Sequence, residues 1–117
     1  MTTRGTVEAY FAALSDGGGW QEFLSESMTF VNHAGRGREA TGRDAYVEST
    51  RRFFSMVRGV ELQGIIVEGN RACATTRYRI QPPAGEPFPC DVAEILTVKE
   101  GFIDSLEIYF DSAPFSA

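Results

Sequence analysis

The sequence predicts an α+β domain in which three helices precede an antiparallel sheet and pack on one face of it. Three observations predict this. Apolar residues recur with helical spacing near the N-terminus and again around residues 46–57. After residue 59 they alternate with period two in four successive runs. Glycine-rich or proline-rich breaks separate the segments. At 117 residues the chain is long enough for one core and too short for two, so residues 1–117 are read as a single domain.

The first segment, TTRGTVEAYFAALSDGGGW, carries Val7, Tyr10, Phe11 and Leu14 at i, i+3, i+4 and i+7, one apolar stripe of a helix that Gly17, Gly18 and Gly19 end. Trp20, Phe23 and Leu24 suggest a short second helix. Met28, Phe30 and Asn32 alternate with Thr29 and Val31, which predicts a short strand at a sheet edge. HAGRGREATGRDA reads as a loop. In AYVESTRRFFSMV, the residues Tyr46, Thr50, Phe53, Phe54 and Val57 share one face of a third helix. The runs VELQGIIVE and RACATTRYRI are strands joined by the tight-turn pair Gly69-Asn70. Pro82, Pro83, Pro87 and Pro89 make QPPAGEPFP a loop. CDVAEILTV and FIDSLEIYF then complete a four-strand meander across Lys99-Glu100-Gly101.

Composition excludes several classes. A net charge of -5 without a block of like charges argues against a nucleic-acid surface. No apolar run reaches the roughly 18 residues of a membrane span, and MTTRGTVEAY lacks the shape of a secretion signal, so a cytoplasmic location is expected. Cys73 and Cys90 are too few for a disulfide framework. No metal-ligand spacing surrounds them, and nothing in the sequence calls for a metal or a cofactor.

A curved sheet closed by helices leaves a conical cavity of the kind that takes small apolar ligands. Glu94 stands out, because it interrupts the apolar strand VAEILTV on the face of Val92, Leu96 and Val98. Burial without a partner would raise its pKa and suit it to acid/base work, whereas a nearby arginine would hold it ionised. The register of the hairpin between the second and third strands of the meander decides which applies. An odd index sum sets Arg77 opposite Glu94, and an even one puts Arg77 and Arg79 on the Asp91 face. His33, the one histidine of the chain, is a candidate base, but alternation aims it away from Asn32, toward the end of a strand. Phe30, Phe53, Phe54, Met56, Leu106 and Phe110 form the apolar set from which core and cavity wall are drawn.

The phrases VEAYFAAL, GRDAYVES and SLEIYFD, in this order, resemble the nuclear transport factor 2-like superfamily and, within it, the SnoaL-like group. The resemblance covers nearly the whole chain. It implies a cone-shaped barrel of strongly bent antiparallel sheet with the three N-terminal helices on its concave face. It also implies a small-molecule ligand in the cone and a homodimer through the open sheet face. Set beside ketosteroid isomerase, Tyr10 matches the carbonyl-donating tyrosine, Glu94 the protonated acid, and Asn32 stands in place of the aspartate base. An amide cannot shuttle a proton. Set beside limonene epoxide hydrolase, Asn32 and Arg77 match, but Phe30, Arg79 and Ile108 replace its tyrosine and two aspartates, which argues against epoxide hydrolysis.

The resemblance therefore implies Tyr10, Glu94 and Asn32 as the catalytic set. It favours the odd register, with Arg77 and Arg79 facing in and contacting an anionic or carbonyl-bearing ligand, and Phe30, Phe53, Phe54, Leu106, Ile108 and Phe110 around it; His33 and Asp91 are secondary candidates. Isomerisation, cyclisation or dehydration without a cofactor is one expectation. The other is a binding or dimeric structural domain that has lost the catalytic carboxylates.

Overall fold

A computed structural model describes residues 2–35 and 37–115. Helix α1 spans Thr3–Asp16. The Thr2 side chain accepts from the Gly5 N–H at its start, and Gly17, in the left-handed region at φ 86°, closes its end. Trp20–Phe23 is a single 3-10 turn rather than a helix, since only four residues separate Gly19 from the strand that Leu24 begins. The remaining elements are β1 (Leu24–Asn32), β2 (Arg38–Thr41), α2 (Arg43–Ser55), β3 (Val57–Glu68), β4 (Arg71–Ile80), β5 (Phe88–Lys99) and β6 (Phe102–Phe110). Two α-helices, not three, thus accompany the sheet.

The six strands form one open sheet in the order β2-β1-β6-β5-β4-β3. It is mixed, not antiparallel, because β1 runs parallel to β6. It does not close into a barrel. The early strand is not an edge either: β2, inside the segment expected to be a loop, covers it in register from Thr29↔Thr41 to Asn32↔Arg38. Four residues with three of them exposed leave no alternation to read in REAT. Val57, assigned by periodicity to the helix, opens β3 instead. The expected turn at Gly69-Asn70 is present, with Glu68 opposite Arg71. Register shifts between Val57 and Gly59 and between Leu62 and Gly64 mark irregularities of the kind that bend a strand. At Gly64 an added Cβ would come within 3.2 Å of the Thr75 hydroxyl, so the close approach there favours glycine.

Alternation assigns the faces. Ala72, Ala74, Thr76, Tyr78 and Ile80 of β4 and Cys90, Val92, Glu94, Leu96 and Val98 of β5 are buried on the side the helices cover. Val7, Phe11 and Leu14 from α1 pack there with Leu24, Met28, Leu96, Ile103 and Leu106. Each such side chain contributes about 1.5–3 kcal/mol by leaving water. A second cluster around Tyr78, Ile80, Cys90 and Val92 meets Phe53, Phe88, Phe110 and Phe115 at the other end of the sheet.

The β4–β5 register is even: Arg77 pairs with Asp91 and Glu94 with Ala74. Arg77 and Arg79 therefore leave the sheet on the side away from Glu94, against the odd register that the resemblance favours. Cys90 pairs with Tyr78, five residues along β4 from Cys73 and on the opposite face, and both thiols are free. The same pairing sets Arg38, Asn32, Ile108, Glu94 and Ala74 in one inner row across five strands.

Candidate functional site

The inner face and α2 enclose a pocket of about 720 Å³. Helix α2 presents Tyr46, Thr50, Phe53 and Phe54 to it, because these fall on the stripe that faces the sheet. The strands supply Phe30 and Asn32 from β1, Tyr78 from β4, Val92 and Glu94 from β5, and Ile108 and Phe110 from β6.

Glu94 is the chemical centre. It is 2% exposed, and no cation lies against it among the described residues. Its Oε2 accepts from the Thr76 hydroxyl at 2.5 Å and the Tyr78 hydroxyl at 2.7 Å. Burial pushes its pKa from 4.5 up to about 7, and the two hydrogen bonds hold it down against that rise. With both donors on Oε2, the oxygen left to act on a ligand is Oε1.

Three tyrosines surround this carboxyl, and burial holds each phenol well above its ordinary range, so all are neutral donors. The Tyr10 and Tyr46 phenols are close neighbours beside this carboxyl. Tyr46 lines the pocket, whereas Tyr10 lies behind it in the core at 1% exposure. Tyr10 is not among the residues that line the pocket, whereas Tyr46 is.

Asn32 does line the pocket, with its Oδ1 accepting from the Ala34 N–H at 2.8 Å; the amide NH2 is the end able to donate inward. Phe30, Phe53, Phe54, Ile108 and Phe110 form apolar wall as expected, but Leu106 is core and not wall. Arg77 and Asp91 form a two-bonded ion pair at 2.8 and 3.0 Å on the outer face, away from Glu94. Arg79 is exposed on that same face. His33 is also outside the pocket. Its Nε2 meets Glu107 Oε1 at 2.9 Å and its ring stacks on Tyr109, while its N–H donates to the Ile108 carbonyl and continues the strand.

Tyr46, Thr76 and Tyr78 were not singled out by sequence reasoning. A signal existed in β4, whose even positions are mostly apolar and whose odd positions are mostly polar; that alternation points Thr76 and Tyr78 inward with the rest of the even set. Among the described residues, no group of three or more His, Cys, Asp or Glu side chains is arranged to hold a metal ion.

An open bent sheet with helices on one face and a buried carboxyl flanked by tyrosines at the base of an aromatic pocket defines a small-molecule-binding α+β domain. The chain belongs to the SnoaL-like domain family, whose model matches residues 7–106. Solved structures share the fold. A SnoaL-like polyketide cyclase candidate from Jannaschia sp. CCS1 is 16% identical with a TM-score of 0.83, over 97% of this chain and 88% of that one. A protein with a ketosteroid isomerase-like fold from Catenulispora acidiphila DSM 44928, in complex with trimethylamine, is 23% identical with a TM-score of 0.76, over 91% and 85%. TerC, co-crystallised with polyporic acid, is 18% identical with a TM-score of 0.80, over 97% and 95%. No curated protein matches the sequence. Among the described residues no helix is long and apolar enough to cross a membrane.

Proposed function

We propose that the protein binds a small, partly apolar carbonyl compound in this pocket and catalyses a cofactor-independent proton transfer on it, of the isomerase, cyclase or dehydratase kind. The observation that carries the reading is Glu94: a buried carboxyl without a cation, poised near neutral pH, facing a pocket whose wall also offers the Tyr46 hydroxyl. A general base works best with a pKa near the working pH. Glu94 Oε1 takes a proton from the carbon beside the carbonyl and becomes a carboxylic acid. The electron pair moves onto the carbonyl oxygen, where Tyr46 donates to the developing enolate. Returning the proton to a second carbon of a conjugated enolate isomerises the compound; if the β-carbon carries a hydroxyl, the enolate pair instead forms the carbon–carbon double bond as the hydroxyl leaves with the Glu94 proton as water, which dehydrates it. Asn32 orients the ligand through its amide NH2.

The fold neighbours include a polyketide cyclase candidate, which suits this chemistry, though fold alone does not assign it. The experiment is α-proton exchange of 2-tetralone in heavy water, followed by the loss of its NMR signal. The parent protein is expected to accelerate exchange, with a rate that rises through about pH 7 as Glu94 ionises. Glu94→Gln should lose roughly 10²–10⁴-fold. Tyr46→Phe should lose roughly 10²–10³-fold. Equal exchange by parent and Glu94→Gln would favour the alternative, a non-catalytic binding module. We also propose a homodimer through the outer face, favoured by Ile66, 75% exposed in one row with Cys73 and Ile95, a row that Glu107 and Val31 continue.

A further inference from the structure

Among the described residues, the base of the pocket holds a carboxyl and hydroxyls but no cation, whereas Arg38 and Arg52 stand at its mouth. Arg38 lies opposite Asn32 on β2 and so shares the inner face. Arg52, in the last turn of α2, borders the pocket beside Phe53 and Phe54. Both are exposed, and among the described residues neither makes an ion pair, while Arg43, Arg51 and Arg77 each have one. Glu39 also borders the pocket, but it lies opposite Val31 and leaves from the other side of β2. Arg38 and Arg52, without ion pairs among the described residues, run against the chain's overall charge of -5 and make the mouth a local attractor for anions.

The sheet register sets the span. Arg38, Asn32, Ile108 and Glu94 occupy one row on four adjacent strands, which puts Arg38 and Glu94 roughly 14 Å apart at the backbone, at ~4.8 Å per strand. The long Arg38 side chain shortens the gap to about one or two fused rings. An anion cannot sit beside Glu94, where like charges repel and no cation compensates. It must point outward.

We infer that the substrate is a keto acid that enters carbonyl end first and leaves its carboxylate at the mouth, where Arg38 and Arg52 read it. This rests on the pocket function proposed above. Both arginines are exposed, so each contact is worth about two- to fivefold in affinity, and it weakens with salt.

The test compares 2-naphthol with 6-hydroxy-2-naphthoic acid, titrated into the full chain by fluorescence at low and high salt. In the parent at low salt the acid is expected to bind roughly four- to twentyfold more tightly, an advantage that shrinks at high salt. The double variant Arg38→Gln, Arg52→Gln should bind both probes with the affinity of 2-naphthol. Equal binding of the two probes by the parent overturns the inference, and so does an acid preference that survives in the double variant. A double variant that loses both probes equally shows that the arginines shape the mouth without reading charge, which also overturns it. Binding of neither probe to the parent removes the pocket function itself and this inference with it.

Discussion

Glu94→Gln is expected to stabilise the protein at alkaline pH and to leave it nearly unchanged near pH 4. The folded protein keeps the Glu94 proton up to about pH 7, whereas the unfolded chain releases it around the ordinary value of 4.5. Between these values the folded state binds more protons than the unfolded one, so stability falls as pH rises. It is highest below the unfolded value, drops through the interval, and levels off above the folded value. A gap of this size corresponds to about 3 kcal/mol, an order-of-magnitude figure for a fully buried carboxyl. Glutamine keeps an oxygen that accepts from Thr76 and Tyr78 but has no proton to lose. The assay is urea unfolding of both proteins across the range from about pH 4 to about pH 8. Every other titrating group cancels in the difference. That difference should grow by about 3 kcal/mol in the variant's favour, or roughly 10 °C in melting temperature. A difference that stays flat with pH would show that Glu94 titrates as an ordinary carboxyl and would remove the basis for a neutral-pH base.

Tyr78→Phe removes one of the two hydrogen bonds that hold the Glu94 pKa down, so the carboxyl titration, read by carbon NMR, should move to higher pH; an unchanged midpoint would deny that the bond exists. Tyr10→Phe should cost about 1 kcal/mol in stability and slow 2-tetralone exchange far less than Tyr46→Phe does. Equal losses would mean that Tyr10 reaches the ligand. Thr6→Val should stabilise by about 1 kcal/mol, because Thr6 Oγ1 is buried with no partner among the described residues; destabilisation in thermal melts would reveal a partner. Ile66→Asp should convert the proposed dimer to monomer in sedimentation with exchange activity retained, and a parent that is already monomeric would dismiss the dimer.

The elements legible in the sequence are those whose partners are close by in the chain. Gly69-Asn70 and Glu100-Gly101 carry positive φ at Gly69, Glu100 and Gly101, and each closes a two-residue connection between strands that pair with each other. The stripes of α1 and α2 were equally readable from their own spacing. What escaped depends on distant partners. β2 exists because β1 offers it an edge, and β1 pairs in parallel with β6 across most of the chain length. Nothing within LSESMTFVN or REAT encodes either fact, as a parallel pair needs no local turn and a short exposed edge strand needs no alternation. Tyr10 shows the same limit on a helix. Its place on the apolar stripe was visible, but whether it faced the pocket or stood behind Tyr46 is decided by what α2 brings over it.

The site turns on a single parity. With an odd register, Arg77 would have stood opposite Glu94, held it ionised and lowered its pKa, leaving a structural ion pair in place of a base. The even register gives Arg77 to Asp91, whose carboxyl it holds below the usual range in water, and leaves Glu94 with two neutral hydroxyls. One residue of offset therefore decides whether the buried carboxyl faces an arginine or two neutral hydroxyls. The β4 sequence carried the information: Arg71, Cys73, Thr75, Arg77 and Arg79 against Ala72, Ala74, Thr76, Tyr78 and Ile80. Burying the first set would bury three guanidinium groups with one glutamate between them, a desolvation cost of several kcal/mol per uncompensated ion. The second set carries no charge and only two hydroxyls, both of which Glu94 accepts. That energetic contrast selects the register, and the register in turn leaves the Glu94 carboxyl buried with its pKa raised.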